Sequence, residues 1–497
     1  MNQQTLHDAA PAQASDREIR AVYLALMAVL GLGALDQSIV ATALPRIVGD
    51  LGGIEHLSWV VTAYVLASTA TMPLYGKLAD QYGRRPMVFT ALITFLAGSV
   101  LCGLARNMTE LIVFRAIQGL GSGGFMPLAQ IIIADLVTPA ERAKRQGSIA
   151  VVFAVTSVLG PVLGGFMTDW LSWHWIFYIN LPVGALALWA IARSLRKPAA
   201  TQSHRIDYLG SALLTGAIVA LLLVLALGGT EWPWDAAQIK VCGALAVVLG
   251  AWLVFHLRRA AEPVLPPELF DNRVFNVASI VMALTFMGLM GSSVFFPLFF
   301  QLVMGNSPAD SGMLTVPMMI GMIAVSVLNG RVLAPLNRYK QVQVAGLALA
   351  VLAFGALAWA MDSGRGYLFI EPAIFLLGAG LGLVMPNMTI VVQHALPLPR
   401  RGVGTAMLTF FRSLGGLLGV TGSGAILAHQ LHAHGIAAAA SAGTGTVLAP
   451  ALREVYRHAI ANVFGAGTAI VLAALLLMWL LPNVSINLAS SPPPGKT

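Results

Sequence analysis

The chain has 497 residues, 57% of them hydrophobic and only 10% charged. Soluble domains carry about 25% charged residues, so a water-soluble fold is excluded and a bilayer must act as solvent. The net charge of +8 need not mean nucleic acid, because the bases fall in short loops between apolar segments. Cys102 and Cys242 both lie within apolar stretches, which excludes a disulfide framework and a paired-cysteine metal site.

A spanning helix needs roughly 20 apolar residues. Residues 1–19 are polar, and the first apolar run is too long for a cleavable signal, so it is expected to be the first span. Fourteen candidate segments follow one another near 21–44, 57–76, 87–105, 109–135, 146–169, 173–193, 208–228 and 237–257, then 274–302, 309–330, 342–361, 366–390, 403–428 and 459–482. Helices are expected, since lipid-exposed backbone must satisfy its own hydrogen bonds and no barrel-like alternation is visible. With the N-terminus inside, 21 of the 29 Lys and Arg fall on the cytoplasmic side, the bias expected of inner loops. Both termini are then cytoplasmic, in a multi-pass protein of the cell membrane.

Polar runs at 194–207 and 258–273 divide the chain into six, two and six helices. The expected organisation is a tail at 1–19, a six-helix bundle at 20–198, two inserted helices at 206–258, a second bundle at 273–483 and a tail at 484–497. The segment from Gly76 (GKLADQYGRR) and the one from Gly330 (GRVLAPLNRYK) each set a base eight residues after a Gly. Paired bundles around a central site are a transporter pattern.

Asp36 and Arg115 are the first charges inside apolar segments. An intramembrane carboxylate is costly unless paired or lining a wet cavity, so both are candidates for proton coupling, or for a purely structural ion pair. Arg412, within the thirteenth segment, is expected either to hold an anionic group or to order the second bundle. Glu371 lies near the outer end of its segment, where snorkelling is expected. Gly160-Pro161 and Gly164-Gly165 permit a bend and close helix approach. A pocket for organic molecules would draw on aromatic and soft apolar groups, with amides for specificity. Candidates are Trp59, Tyr64, Gln118, Met126 and Met290, then Phe299, Gln301, Asn387, Phe411 and Arg412; ordinary packing is the alternative for each.

Gly76-Lys77-Leu78-Ala79-Asp80-Gln81-Tyr82-Gly83-Arg84-Arg85-Pro86 resembles the signature loop of the major facilitator superfamily. Leu35-Asp36-Gln37, Arg115-Ala116-Ile117-Gln118-Gly119, Gly160-Pro161-Val162-Leu163-Gly164-Gly165 and Trp173-His174-Trp175 extend that resemblance to its fourteen-helix drug/proton antiporters, across about 20–483. Thr156 stands where the antiporter motif usually has another Gly, and His174 where Arg is frequent. The resemblance implies an all-α major facilitator fold of two six-helix bundles plus two inserted helices. It implies a conformational latch at Gly76, Asp80, Gly83, Arg84 and Arg85, with Asp80 and Arg85 at its centre. It also implies a role for Arg115 in proton coupling, and in the fifth segment a glycine-lined seal against the opposite bundle that blocks proton leak.

No nucleotide-binding loop is present, so a proton gradient and no cofactor is the expected drive. Ten histidines lie in loops or near helix ends, and His429, His432 and His434 read as part of an outer loop, so no metal site is expected. The expected partners are protons, lipid and a small hydrophobic molecule that is cationic in some cases. The protein is expected to act as a monomer. No helix-13 carboxylate is available for dications. A dedicated transporter of one fatty acid, peptide or antibiotic, and a non-transporting sensor or scaffold, are the competing readings.

Overall fold

The computed structural model describes residues 16–52, 57–137, 139–195, 207–229, 232–260, 262–306, 308–329, 338–397, 400–433 and 450–482. The two tails, most of the 194–207 linker, residues 330–337 of the second repeat loop, and His434 lie outside that set, as does the side chain of Pro161. The described residues are almost wholly helical.

The first half contains α1 (Asp16–Leu51), α2 (Leu57–Tyr82), α3 (Arg84–Gly103), α4 (Met108–Ser122), α5 (Phe125–Leu136), α6 (Pro139–Trp170), α7 (Trp175–Tyr178) and α8 (Asn180–Ser194). A hairpin follows, α9 (Tyr208–Leu227) and α10 (Ala237–Leu257). The second half contains α11 (Glu268–Asp271), α12 (Arg273–Leu302), α13 (Pro308–Met313), α14 (Val316–Leu328), α15 (Tyr339–Asp362), α16 (Tyr367–Ala395), α17 (Arg401–Ala433) and α18 (Pro450–Met478). Twelve helical stretches among the described residues are long and apolar enough to cross a membrane, with α4–α5, α7–α8 and α13–α14 each counting as one stretch. Helices α2 and α6, of 26 and 32 residues, are not among the twelve.

Local chemistry explains where helices begin and bend. The Asn107 side chain accepts from the Glu110 amide at 2.8 Å, and Glu110 accepts from the Arg106 amide at 2.9 Å, a reciprocal cap for α4. Asn272 caps α12 through the amides of Val274 and Phe275. Residue 83 has φ +91°, which only glycine adopts without strain, and this turn separates α2 from α3. The fourth sequence segment breaks between α4 and α5 at Gly123. A Cβ there would lie 2.2 Å from Thr71 Oγ1 and 2.3 Å from the Ser68 carbonyl, so α2 presses on this point.

Two apolar cores fill the first half, one around Phe95, Phe125 and Leu26, the other around Trp173, Phe177 and Ile47. A larger core fills the second half and takes in α9, α10 and two residues of α2, Leu66 and Ala70. The α9–α10 hairpin therefore shares this core with the second half and with α2. Thr421 of α17 also donates to the Leu225 carbonyl of α9 at 2.9 Å.

Two sequence expectations are corrected here. His429 and His432 belong to the last turns of α17 rather than to a loop. The final helix starts at Pro450, nine residues before the apolar run, because Arg453, Glu454 and Arg457 continue the helix beyond its apolar window.

Candidate functional site

Asp36 on α1 and Arg115 on α4 meet inside the first half. Arg115 Nη1 lies 2.5 Å from Asp36 Oδ2, and the side chains are 1% and 0% exposed. Gln118, one turn along α4, donates to Asp36 Oδ1 at 2.7 Å and accepts from Arg115 Nη1 at 2.6 Å. Asn180, the first residue of α8, donates to Asp36 Oδ1 at 2.9 Å. Ser99 of α3 accepts from both amides, at 2.7 Å from Gln118 and 3.1 Å from Asn180. Arg115 is completed by the Val60 carbonyl at 3.2 Å and by the face of Tyr64, 4.2 Å from its guanidinium carbon.

This arrangement gathers α1, α2, α3, α4 and α8 around one neutral ion pair. Gly98 and Gly119 let the backbones close in, since a Cβ would lie 2.5 Å from Gln118 Cα and 2.4 Å from the Tyr64 carbonyl, respectively. Tyr64 and Gln118, proposed from sequence as pocket walls, are both members of the charge network. Ser99 was not singled out by the sequence, its only signal being a polar side chain in an otherwise apolar helix. Asn180 belongs to the family-like string that runs on from Trp173-His174-Trp175 to Pro182, which gave it no role of its own.

A second cluster joins the halves. Asp80, at the end of α2, accepts from the Val403 amide at 2.8 Å and so caps α17 from another helix. Its other oxygen lies 2.8 Å from Arg84 Nη1, close enough for ion pairing although the angle makes no hydrogen bond. Arg84 also reaches Asp135 at the end of α5, at 3.0 Å. Glycines make this contact possible: a Cβ on Gly76 would stand 2.3 Å from Ala406 Cβ, and one on Gly402 2.2 Å from Asp80 Oδ1. Arg85, expected beside Asp80, instead donates to the Ala192 carbonyl of α8 at 2.8 Å and lies over Phe89. Successive helical residues point about 100° apart, so only one of the two arginines that open α3 faces Asp80.

The glycines of α6 face their own half. A Cβ on Gly160 would meet Ser38 Oγ at 1.9 Å, and one on Gly164 would meet Thr42 Oγ1 at 2.2 Å, both on α1. Gly165 faces open space. Ser38 Oγ donates to the Thr156 carbonyl at 3.2 Å, so the departure at Thr156 falls within this same α1–α6 contact. The contact expected against the opposite bundle is thus not made by these glycines.

The remaining pocket candidates separate. Phe299 is 2% exposed in the second-half core. Asn387 exchanges hydrogen bonds of 3.2 Å with Asn329 and is 1% exposed. Trp59, Met126 and Gln301 are half-buried. Glu371 is half-buried too, with one carboxyl oxygen enclosed and without a hydrogen bond. Met290 lies on α12, and Phe411 and Arg412 lie on α17, two helices that pack on each other. The Arg412 guanidinium lies 5.0 Å from the Phe286 ring, and a Cβ on Gly416 would touch Met290 and Phe286. Among the described residues no group of His, Cys, Asp and Glu is arranged to hold a metal.

The chain resembles known proteins in sequence and fold. It is 40% identical over 402 residues to the multidrug transporter protein MdtP of Bacillus subtilis, covering 81% of this chain and 74% of that protein. It is 38% identical over 404 residues to multidrug resistance protein 3 of the same organism, covering 80% and 78%. Its fold superposes on the proton:xylose symporter XylE with a TM-score of 0.62 at 14% identity, over 94% of this chain and 96% of that one. The sequence profile of the Major Facilitator Superfamily matches residues 26–420. With a family profile spanning most of its length, relatives that are transporters and an all-helical fold of membrane-crossing length, this chain belongs to the major facilitator superfamily and is a multi-pass membrane transporter, not an enzyme.

Proposed function

We propose that this chain exports hydrophobic small molecules, with or without a positive charge, in exchange for protons across the cell membrane. The single observation that carries the reading is the sealed Asp36–Arg115 pair with its Gln118 and Asn180 donors. A scaffold has no use for two buried charges, whereas a proton-coupled carrier needs a carboxylate that water reaches in one conformation and not in another. At 1% exposure Asp36 exchanges no proton with bulk water until α1 and α4 separate, which makes proton access depend on helix movement. The names of the two Bacillus relatives, both multidrug proteins, agree with efflux.

The cycle follows from the two clusters. Asp80 and Arg84 hold α2 against the start of α17, keeping that end shut; releasing them lets the halves rock about the site. Protonation of Asp36 frees Arg115 and loosens the network, coupling proton entry to the change of access. Helices α2 and α6 are long enough, at 1.5 Å per residue, to bridge a core of about 30 Å, completing fourteen spans with both termini inside. The N-terminal bundle, inserted pair and C-terminal bundle then follow the divisions at 20–198, 206–258 and 273–483. One chain contains the whole network, so a monomer suffices, and the proton gradient replaces any cofactor. A transporter dedicated to one metabolite is the second reading, favoured by Arg412, with which no carboxylate among the described residues pairs.

The test is efflux of ethidium and of the neutral dye Nile red from cells expressing the chain, with and without a protonophore, beside Asp36→Asn at equal expression. Efflux that the protonophore stops and the variant lacks supports the reading. Efflux that persists in the variant removes Asp36 from the mechanism, and cells that retain both dyes like empty cells remove multidrug export.

A further inference from the structure

Arg115 shows how this protein satisfies an interior arginine: a carboxylate, an amide oxygen, a backbone carbonyl and an aromatic face all meet it. Arg412 is treated differently. It lies mid-helix in α17, its Nε is enclosed without a hydrogen-bond partner, and no carboxylate among the described residues pairs with it. Among the described residues its one polar or ring partner is the face of Phe286, 5.0 Å from the guanidinium carbon. A phenyl face offsets only part of what the enclosed edge of a guanidinium loses in hydration.

Its position is also that of a site. Thr409 and Ser413, on the same turns of α17, meet Gln130 of α5 at 3.5 Å and Met72 of α2 at 3.7 Å across the seam between the halves. Arg412 stands between that seam and the α12 face formed by Phe286 and Met290. Apolar walls with one unanswered cation suit an amphiphile that carries one acidic group. Asp36 offers no rival attraction for a cation, because Arg115, Gln118 and Asn180 already occupy it.

We propose that Arg412 anchors a negatively charged group on an otherwise apolar substrate, so that the chain favours amphiphilic carboxylates and similar organic anions or zwitterions over cations of the same body. The proposal rests on the reading of the chain as a proton-coupled exporter and narrows its substrates, setting amphiphilic anions ahead of the cations and neutral molecules named there. The substrate carboxylate pairs with the guanidinium in two parallel hydrogen bonds while its apolar part covers Phe286 and Met290.

The test uses two probes with one fluorophore, dansylglycine (anionic) and dansylcadaverine (cationic), titrated into the purified full chain in phosphatidylcholine nanodiscs. The expected result is tighter binding of dansylglycine by the wild type. Arg412→Gln should weaken that binding about tenfold, as loss of one charge-assisted pair implies, and tighten dansylcadaverine binding; Arg412→Lys should retain most of the anion preference. Wild-type preference for the cation, no wild-type binding of dansylglycine, or equal loss of both probes in Arg412→Gln would each overturn the proposal. Loss of dansylglycine binding only in nanodiscs that contain phosphatidylglycerol would also overturn it, assigning the anchor to a lipid phosphate. The wild-type comparison stands even where a variant fails to fold. Equilibrium binding needs no gradient, so these outcomes are independent of the proton-driven efflux assay.

Discussion

Replacing Asp36 by Asn keeps the shape of the side chain and removes its charge. The Asn oxygen still accepts from Gln118 and Asn180, which lie 2.7 and 2.9 Å from Oδ1. Its amide nitrogen then faces Arg115 Nη1 at what was a 2.5 Å ion pair, donor against donor. Arg115 keeps only Gln118 Oε1, the Val60 carbonyl and the Tyr64 ring as partners. Breaking one side of a buried pair costs about 3–5 kcal/mol, and the same range applies to Arg115→Gln, which leaves the carboxylate alone. In the double variant Asp36→Asn/Arg115→Gln no buried charge remains, and the cost falls to about 1–2 kcal/mol of poorer hydrogen bonding. Unfolding of the four proteins by SDS in mixed micelles measures this cycle. The double variant should be more stable than either single one, and all three should lack proton-driven efflux. Additive losses, or Asp36→Asn as stable as wild type, would refute the pairing argument. A double variant that exports with a proton gradient would reduce the pair to a structural clip.

Four further outcomes follow from the packing. Gly160→Ala should destabilise the protein by about 1–3 kcal/mol through overpacking on α1, and adding Ser38→Gly should recover most of it, because Ser38 Oγ and Cβ are the atoms struck. Gly76→Leu should wedge α2 from α17; in a background lacking Cys102 and Cys242, a short bismaleimide should join Met72→Cys to Ser413→Cys efficiently, and Gly76→Leu should reduce that yield. Asp80→Ala should remove the cap on α17 and cost about 1 kcal/mol, seen as faster amide exchange over its first turn. Asp207 lies before α9. Burial raises its carboxyl pKa, but hydrogen bonds from His256, Gly210 and Val264 and the charge of His256 outweigh that and hold it below the ordinary 3.8. A depressed carboxylate stabilises above its unfolded pKa and loses that contribution as pH falls through the folded value. Proteolysis of the hairpin should therefore stay slow down to about pH 4 and rise only below it, whereas Asp207→Ala should open the hairpin at neutral pH.

The existence of the apolar segments was legible from residue order alone, since a bilayer demands long apolar runs and charge confines the loops to water. The pairing of Asp36 with Arg115 was legible for a related reason: intramembrane charges are so costly that two in one half must find each other. The turn at Gly83 was legible as well, through the signature string around it. What remained closed to the sequence is the choice of partner across the chain. Asp80 caps an amide 323 residues away, and nothing in hydropathy periodicity reports that distance. Asn180 reaches Asp36 across 144 residues, and its amide looks the same in sequence as one that faces a lipid headgroup. Arg84 rather than Arg85 meets Asp80 because the start of α3 sets the rotation of both. The α6 glycines serve α1 because helix rotation, not composition, decides which neighbour a small residue admits. Arg412 was recognisable as a charge within an apolar segment, but only the packed helices show that no carboxylate among the described residues answers it. Local pattern determines whether a segment is buried in lipid and helical; the partners of its polar groups are decided when distant helices pack, because only then are desolvated donors and acceptors matched.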